Sequence, residues 1–420
     1  MKLLEFKIDS IARRIIFFAV LAAVVGLHWY IAKWAFANMI SLRADRTDIA
    51  EIAVGLAPDD PQTHYAAAVL FDKTFLPQDQ IRSVSEYETA VSLAPHNYQL
   101  WLEYGKALAR SGEMDKGESA LRRAETLAPN YSVVHWTLGN ALVREGKTDE
   151  GFAEIRRAVE TDPGYAAPAV SIAFSLYEGD LPQIRGVVGD SAHANGALAL
   201  ALAKAKRFDE ATQIWKSIPP SDIDEPLTEI GRSLRRDLLS AKKFLLSEVV
   251  TLNDDAVYSP GQIFDGGFEQ GIKLENAPTF EWQISEGSQP QVLQSTQQAH
   301  GGSRCLVLLF NSSDGNGLKQ LMQTVAVRPG GKYSFQAFYH SDLKSASPLV
   351  WQVVNATDNG LLAEIPLTDP VQTWTLVSVR FVVPSNSDGV ILKLARRRCD
   401  WTICPINGSL WLDDLSLLPN

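Results

Sequence analysis

Two pairs of polar side chains in the first half of the chain have a spacing suited to binding an acidic group. Lys106 and Arg110 are four residues apart, and so are Asn140 and Arg144. A spacing of four places both members of a pair on one face of an α-helix. Cationic and amide side chains on one face can bind a carboxylate or an acidic segment through charge-assisted hydrogen bonds. The alternative is a solvated polar face without a ligand.

The sequence contains none of the short motifs that mark common catalytic sites. The G-x-x-x-x-G-K-[ST], G-x-G-x-x-G, G-x-S-x-G and H-E-x-x-H patterns are all missing. The seven His residues are scattered along the chain without metal-ligand spacing. We therefore expect a protein that is not an enzyme.

Length and composition indicate a globular protein of two to three domains. The chain has 420 residues, of which 46% are hydrophobic and 21% are charged. Its net charge of −10 argues against nucleic acid as a partner, because phosphate binding needs an excess of Lys and Arg.

An apolar segment near the N-terminus predicts a membrane anchor. Residues Ile15–Ile31 are long enough to cross a hydrocarbon layer of about 30 Å, and Trp29 and Trp34 suit its far interface. Basic residues precede the segment (Lys2, Lys7, Arg13 and Arg14), so the N-terminus should stay in the cytoplasm. We expect residues 1–40 to form the cytoplasmic tip and a single-pass anchor in a bacterial inner membrane, with the bulk of the protein in the periplasm. The alternatives are a signal peptide cleaved at Ala35–Ala37 and a buried helix of a soluble protein.

The region 41–257 contains an internal repeat. Pro95, Pro129 and Pro163 are spaced by 34 residues, and each ends a run of the form Ala-x-x-x-x-Pro. Small residues recur at matching offsets, among them Gly105 and Gly139, where they let two antiparallel helices approach closely. The pattern resembles the tetratricopeptide repeat, most strongly over 98–131 and 132–165. The resemblance implies an all-α solenoid, since such repeats bury their faces only by stacking.

The same resemblance implies a groove that binds a protein partner. The first helix of each repeat would line it, and the residues at the equivalent positions are Leu102, Lys106, Arg110, Trp136, Asn140 and Arg144.

The region 258–420 predicts an all-β domain. Gly, Ser and Asn become frequent, and segments such as Tyr333–Tyr339 and Trp374–Val383 alternate with a period of two. Short strands with such spacing are typical of an antiparallel sandwich. The order of its motifs, from Phe264-Asp-Gly-Gly-Phe-Glu269 to Leu410-Trp-Leu-Asp-Asp-Leu415, resembles the galactose-binding-like jelly roll of carbohydrate-binding modules. The chain is thus expected to be multidomain, with an anchor, a helical solenoid and a jelly-roll sandwich.

The jelly-roll resemblance implies a structural Ca²⁺ that joins the opening and closing strands. The matching ligands are Glu269 and Asp413 or Asp414, because calcium prefers oxygen ligands. Alternatively, Asp413 and Asp414 form a polar pair on an edge strand.

The resemblance also implies that exposed aromatic side chains stack on the sugar rings of a polysaccharide. The candidates are Tyr339, Trp351 and Trp401, and for each of them core packing is the alternative. Trp282, Trp374 and Trp411 match core positions of the family and are therefore not expected to bind sugar.

The three cysteines predict one disulfide. In an oxidising compartment, Cys399 and Cys404 are close enough in sequence to pair across a turn, and Cys305 is expected to remain a buried free thiol.

These features together predict a membrane-anchored scaffold that binds a protein partner and a glycan during cell-envelope or exopolysaccharide synthesis or export. One alternative is a glycan-acting enzyme or its dedicated subunit. Another is a structural assembly factor without sugar affinity.

Overall fold

The computed structural model describes residues 10–250, 252, 258–313, 315, 317–367, 370–399 and 403–420. In this part of the chain, helices come first and antiparallel β-strands follow, which confirms the predicted fold class. The chain divides into two compact units, Met1–Ala194 and Asn195–Asn420.

The first unit is built of helices that are joined by short turns. They are α1 (Ile11–Arg43), α2 (Thr47–Leu56), α3 (Pro61–Asp72), α4 (Pro77–Leu93), α5 (Tyr98–Arg110), α6 (Met114–Leu127), α7 (Ser132–Arg144), α8 (Thr148–Thr161), α9 (Ala166–Leu176) and α10 (Leu181–Val188). A single 3₁₀ turn (Pro163–Tyr165) precedes α9. The residue types at the turns explain the helix starts: Asp60 and Asn97 accept hydrogen bonds from the backbone amides of Gln62 and Gln99, which satisfies donors that a helix N-terminus leaves free.

Glycines allow the paired helices of this unit to pack closely, as their spacing indicated. A Cβ on Gly105 of α5 would lie 2.6 Å from Cγ of Leu121 on α6. A Cβ on Gly139 of α7 would lie 2.7 Å from the carbonyl oxygen of Gly151 on α8. Neither position has room for a larger side chain, so these residues fix the distance between the helices.

Within the described residues, α1 is the one helix long and apolar enough to cross a membrane. Its side chains are exposed along most of its length, and they become buried only near its C-terminal end.

The second unit begins inside α11 (Ala192–Lys204) and continues with α12 (Phe208–Lys216), the 3₁₀ turn Pro220–Asp222, α13 (Glu225–Ser240) and α14 (Phe244–Val249). Its strands are β1 (Gln283–Ile284), β2 (Gln291–Ser295), β3 (Cys305–Ser312), β4 (Leu321–Ala326), β5 (Lys332–Ser341), β6 (Lys344–Ser345), β7 (Leu349–Asn355), β8 (Leu361–Pro366), β9 (Val371–Val382), β10 (Gly389–Arg396) and β11 (Ile406–Pro419).

The strands form two open antiparallel sheets. The order in one sheet is β1-β4-β10-β7-β8. The order in the other is β2-β3-β11-β5-β9, and β6 also pairs with β11. One hydrophobic core joins the inward faces, with Val325, Trp351 and Leu392 from the first sheet against Phe335 and Leu410 from the second. The architecture is therefore a sandwich.

The last helix is attached to the sandwich by direct contacts. The Asp388 carboxylate accepts hydrogen bonds from the amides of Phe244 (3.2 Å) and Leu245 (3.0 Å) at the start of α14. The Phe244 ring packs on Gly389, where a Cβ would overlap it. Composition placed a domain boundary at residue 258, whereas these contacts group α14 with the strands.

Candidate functional site

A cavity of about 340 Å³ opens between α5, α6 and α7 of the first unit. Five of the six residues predicted to form a partner groove line it: Lys106, Arg110, Trp136, Asn140 and Arg144. Apolar side chains complete the wall, among them Met114, Leu121 and Val133. The cavity thus combines cationic side chains with an apolar floor.

Leu102 does not belong to this cavity. It is 4% exposed and packs in the helical core with Leu121 and Leu138. The prediction that Leu102 contacts a partner is therefore wrong, because its position on α5 faces the neighbouring helices.

The cations of the cavity differ in whether the protein itself neutralises them. Arg110 donates to both carboxylate oxygens of Asp72, from Nε at 3.2 Å and from Nη2 at 2.7 Å. Lys106 donates to Glu103 at 2.8 Å. Arg144 is exposed and has no hydrogen-bond or ion-pair partner among the described residues. Arg144 is therefore the cation of this cavity that is available to an external acid.

The second unit carries an aromatic row on the outer face of its β2-β3-β11-β5-β9 sheet, formed by Trp411, His340 and Trp374. His340 alternates with the core residue Tyr339, and Trp411 lies between the core residues Leu410 and Leu412. The rings of His340 and Trp411 stack with centroids 4.2 Å apart, and Trp374 approaches His340 edge-to-face at 4.7 Å.

Strand register places apolar residues of β3 and β2 beside the Trp411 end of this row. Trp411 pairs with Val307 of β3, and Val307 pairs with the half-exposed Leu293 of β2. The three rings are themselves half-buried. Burial lowers the pKa of His340, so this ring is neutral near pH 7 and stacks without a charge.

His300 borders the aromatic row and connects it to a group of carboxylates. Its ring stacks on Phe338 with centroids 3.8 Å apart and lies 5.6 Å from the Trp374 ring. Its Nδ1 lies 2.6 Å from Oδ2 of Asp414, and its backbone amide donates to Oδ2 of Asp413 at 2.7 Å.

The predicted sugar-binding aromatics lie elsewhere. Tyr339 is 1% exposed and Trp351 is 0% exposed, and both are in the sandwich core, so the prediction that they contact a glycan is wrong. Trp401 lies outside the described residues. Trp282 is buried as expected, but Trp374 and Trp411 are on the outer face, contrary to the expectation that they are core. The alternation of Trp411 with two leucines was the sequence signal for this face.

The predicted calcium ligands come from two segments that are distant in sequence, with Glu269 before β1 and with Asp413 and Asp414 in β11. Glu269 accepts hydrogen bonds from the amides of Ser303 (2.7 Å) and Arg304 (3.0 Å), and Asp413 accepts one from the amide of Gly301 (3.1 Å). A Cβ on Gly267 would lie 3.7 Å from Oδ1 of Asp414, 3.8 Å from Oδ1 of Asp413 and 3.9 Å from Cγ of Glu269. Gly267 thus faces carboxylate oxygens of Asp413 and Asp414 and a methylene group of Glu269, whose own carboxylate faces Ser303. Burial raises the pKa of Asp413.

A tighter group of ligand atoms is found in the helical unit, although it does not suit a metal. Side-chain oxygens of Glu125 and Glu154 and a ring nitrogen of His135 lie within 4.8 Å of one another. Both nitrogens of His135 are already used, because Nδ1 lies 2.7 Å from Oε2 of Glu154 and Nε2 lies 2.7 Å from the carbonyl oxygen of Pro129. Neither ring nitrogen is therefore free to bind an ion.

The cysteines have the arrangement that the sequence suggested. Cys399 and Cys404 are joined by a disulfide with their Cα atoms 6.1 Å apart, and Cys305 is a buried free thiol. Burial raises the pKa of Cys305 to about 11.

Comparison with known proteins supports the helical repeat. Residues 82–132 match the tetratricopeptide repeat family. No curated protein matches the chain. Among solved structures, a CBM4 carbohydrate-binding module is 13% identical (TM-score 0.30) and covers 38% of this chain and 99% of its own. MamA is 17% identical (TM-score 0.28) and covers 41% of this chain and 84% of its own. A family 16 carbohydrate-binding module is 20% identical (TM-score 0.26) and covers 37% of this chain and 98% of its own.

Proposed function

We propose that this protein is a membrane-anchored scaffold that holds an acidic segment of a partner protein in the cavity between α5, α6 and α7. The observation that carries this proposal is that Arg144, which has no partner within the described part of the chain, lies beside the apolar wall around Trp136. An acidic side chain or a C-terminal carboxylate pairs with a guanidinium through two parallel hydrogen bonds. The apolar wall binds an adjacent hydrophobic side chain.

Binding of a labelled peptide tests the groove. A fluorescein-labelled octapeptide of alternating Glu and Leu residues should bind the full-length protein, and Arg144→Ala should weaken binding about tenfold, or about 1.4 kcal/mol. Binding should also weaken as salt rises, because exposed charges are screened. Lys116→Ala is the control, since Lys116 is an exposed cation of the preceding repeat that lies outside the cavity. Equal affinities for wild type and Arg144→Ala would contradict the proposal.

The second candidate function is glycan recognition by the aromatic row. Half-exposed rings in a line across a sheet offer apolar faces and edges to the C–H groups of sugar rings. Such a surface holds a polysaccharide without needing catalytic residues. We therefore propose that the protein binds a glycan without cleaving it, whereas the enzyme alternative requires cleavage.

A glycan array probed with full-length protein tests this candidate. Trp374→Ala should reduce binding of the bound glycan about tenfold. Trp401→Ala, at one of the three candidates that the sequence offered, should leave binding unchanged. Loss of binding only in Trp401→Ala would reject the aromatic row. Release of shorter glycans from the bound polymer would favour the enzyme alternative.

We also propose that the protein is anchored in a bacterial inner membrane. The length and apolar composition of α1 support this location, because they suit a single-pass anchor. A scaffold with a protein groove and a glycan surface suits envelope or exopolysaccharide synthesis or export in a bacterial inner membrane. A reporter that is active only in the periplasm, fused after Asn420, should be active, and the fusion should stay in the membrane pellet after alkaline extraction.

A structural Ca²⁺ in the sandwich completes the proposal. The support for an ion above Gly267 is that carboxylate oxygens of Asp413 and Asp414 face this position, and calcium prefers oxygen ligands. Glu269, Asp413 and Asp414 would hold it. The ion would supply positive charge that joins the opening segment to β11.

A further inference from the structure

Helix α1 changes its environment abruptly along its length. The side chains from Ile11 to Phe36 are exposed, apart from the half-buried Lys33. Ala37 is 0% exposed and Ser41, one turn later, is 6% exposed. The helix is continuous across this change, so no flexible linker separates the apolar stretch from the folded unit.

The buried end of α1 packs as a member of the helical stack. The side-chain amide of Asn38 donates a hydrogen bond to Oδ2 of Asp60, in the turn between α2 and α3. Directly after α1, Ala44 packs with Ala50 and Phe71 of the next two helices. Helix α2 ends in the run Ala53–Pro58, the same Ala-x-x-x-x-Pro run that ends the second helix of the later repeats. The end of α1 and α2 therefore form a helix pair equivalent to α3 and α4.

We infer that the membrane anchor is itself the first helix of the repeat stack, so that the turn 57–60 lies against the bilayer surface. This inference rests on the proposed membrane anchoring by α1. The opposite ends of the helices, where Arg110 and Arg144 lie, then face away from the bilayer. The cavity is held open toward the periplasm and does not face lipid.

Helix geometry gives the distances along the anchor. Asn38 follows the interfacial residue Trp34 by four residues, or about 6 Å of helix rise. The turn that Asn38 contacts is therefore at the level of the lipid headgroups. Helix α3 starts at this turn and runs for 12 residues, so its far end is about 18 Å farther along the stack.

The residues of the turn indicate what kind of contact this is. Ala57, Pro58, Asp59 and Asp60 include no Lys or Arg, and Asp59 is exposed. Attraction to anionic lipids therefore does not hold the turn at the membrane. The continuous helix holds it there, so the contact should persist in zwitterionic lipid and at high salt.

A fluorescence experiment on full-length protein tests the inference. Asp59→Cys and Glu113→Cys place a bimane label at the membrane-facing turn and at the opposite end of the repeats, respectively. The native cysteines are buried or disulfide-bonded and should not react. In phosphatidylcholine liposomes that contain a headgroup nitroxide lipid, quenching should be several-fold stronger at position 59 than at position 113. Equal quenching at the two positions would overturn the inference.

A second variant tests the role of helix continuity. Six Gly and Ser residues inserted between Phe36 and Ala37 should abolish the difference in quenching while the repeats stay folded by circular dichroism. A difference that survives the insertion would show that the anchor does not orient the stack. Alkaline extraction separates this outcome from failure of the anchor: release of the uninserted protein would reject membrane anchoring, whereas retention with equal quenching rejects the inference alone.

Discussion

The ring of His64 on α3 connects Glu86 of α4 with the turn at Pro58 through its two nitrogens. Nδ1 lies 2.6 Å from Oε2 of Glu86 on α4, and Nε2 lies 2.8 Å from the carbonyl oxygen of Pro58. Both partners are acceptors, so the protonated ring donates to each of them. His135 repeats the arrangement with Glu154 and Pro129, and Trp101 donates from Nε1 to the carbonyl oxygen of Pro95 at 3.0 Å. In each of these three repeats, a ring nitrogen thus contacts the carbonyl oxygen of the turn proline six residues earlier.

The His64 contact makes the stability of α3 and α4 depend on pH. The hydrogen bond to Glu86 raises the pKa of His64 above its usual 6.5, although burial opposes this effect. The stabilisation is therefore complete below pH 6.5 and is lost as pH rises through the higher pKa of the folded state. Native-state hydrogen exchange of the α3 and α4 amides should show this loss. Glu86→Gln should cost about 1–2 kcal/mol at pH 6 and reduce the pH dependence.

His96 provides the control for this prediction. It is exposed, and His96→Gln should leave the exchange profile of α3 and α4 unchanged. A pH profile that is the same in Glu86→Gln and wild type would exclude the His64–Glu86 pair as its cause.

A buried carboxyl group, Glu248, should make the stability of the second unit depend on pH. Its Oε2 is buried without a hydrogen-bond partner among the described residues, and it lines a cavity of about 140 Å³ beside the sandwich. Burial, helped by the Asp388 carboxylate, raises the pKa of Glu248 from 4.5 to about 7. The folded unit binds the extra proton between these values, so its stability should fall as pH rises from 4.5 to about 7.

Glu248→Gln imitates the protonated acid and should remove this dependence. We expect it to raise the free energy of unfolding of the second unit by about 1–2 kcal/mol at pH 8 and by little at pH 4.5. Glu286→Gln, at an exposed acid of the same unit, is the control. Denaturant unfolding at both pH values measures the effect, and an equal change at the two values would contradict the assignment.

Calcium should stabilise the sandwich if the proposed site above Gly267 is correct. Addition of 1 mM Ca²⁺ should raise the melting temperature of EDTA-treated protein by several degrees. This concentration exceeds the dissociation constant of a site with sub-millimolar affinity. Glu269→Gln should remove most of this increase, because it removes a charged ligand. Glu364→Gln, at a carboxylate that pairs with Arg397, should retain it. Identical melting curves with calcium and with EDTA would reject the ion.

Alkylation and mass spectrometry test the disulfide. Without reductant, wild-type protein should be labelled at Cys305 alone, and only after unfolding, because burial and a raised pKa protect this thiol in the folded state. Reduction should expose Cys399 and Cys404 as well. The short loop limits the stabilisation to about 2 kcal/mol. Labelling of all three cysteines without reductant would disprove the bridge.

Two glycines of the first unit should respond in opposite ways to the same substitution. Gly139→Ala should cost about 2–3 kcal/mol, because its Cβ would overlap α8. At Gly55, in α2, a Cβ meets nothing within 4 Å, so Gly55→Ala should stabilise the helix by up to about 1 kcal/mol. Denaturant unfolding compares the two, and similar changes in both would contradict the packing described for α7 and α8.

The amino-acid sequence was sufficient for features that local pattern determines. The 34-residue period predicted the helix pairs, because each turn proline and each small residue acts on its own repeat. The length of the apolar segment predicted a helix that can span a membrane. Alternation with a period of two predicted strands such as β5 and β9, because side chains in a strand alternate between faces.

Tertiary structure decided which of these residues are available to a ligand. Alternation shows that Tyr339 and His340 point to opposite faces, but only the packing of the second sheet shows which face is the core. Arg110 and Arg144 occupy equivalent positions, yet Asp72, 38 residues before Arg110, neutralises one of them. Burial and ion pairing depend on residues that are distant in sequence, so no local pattern contains them.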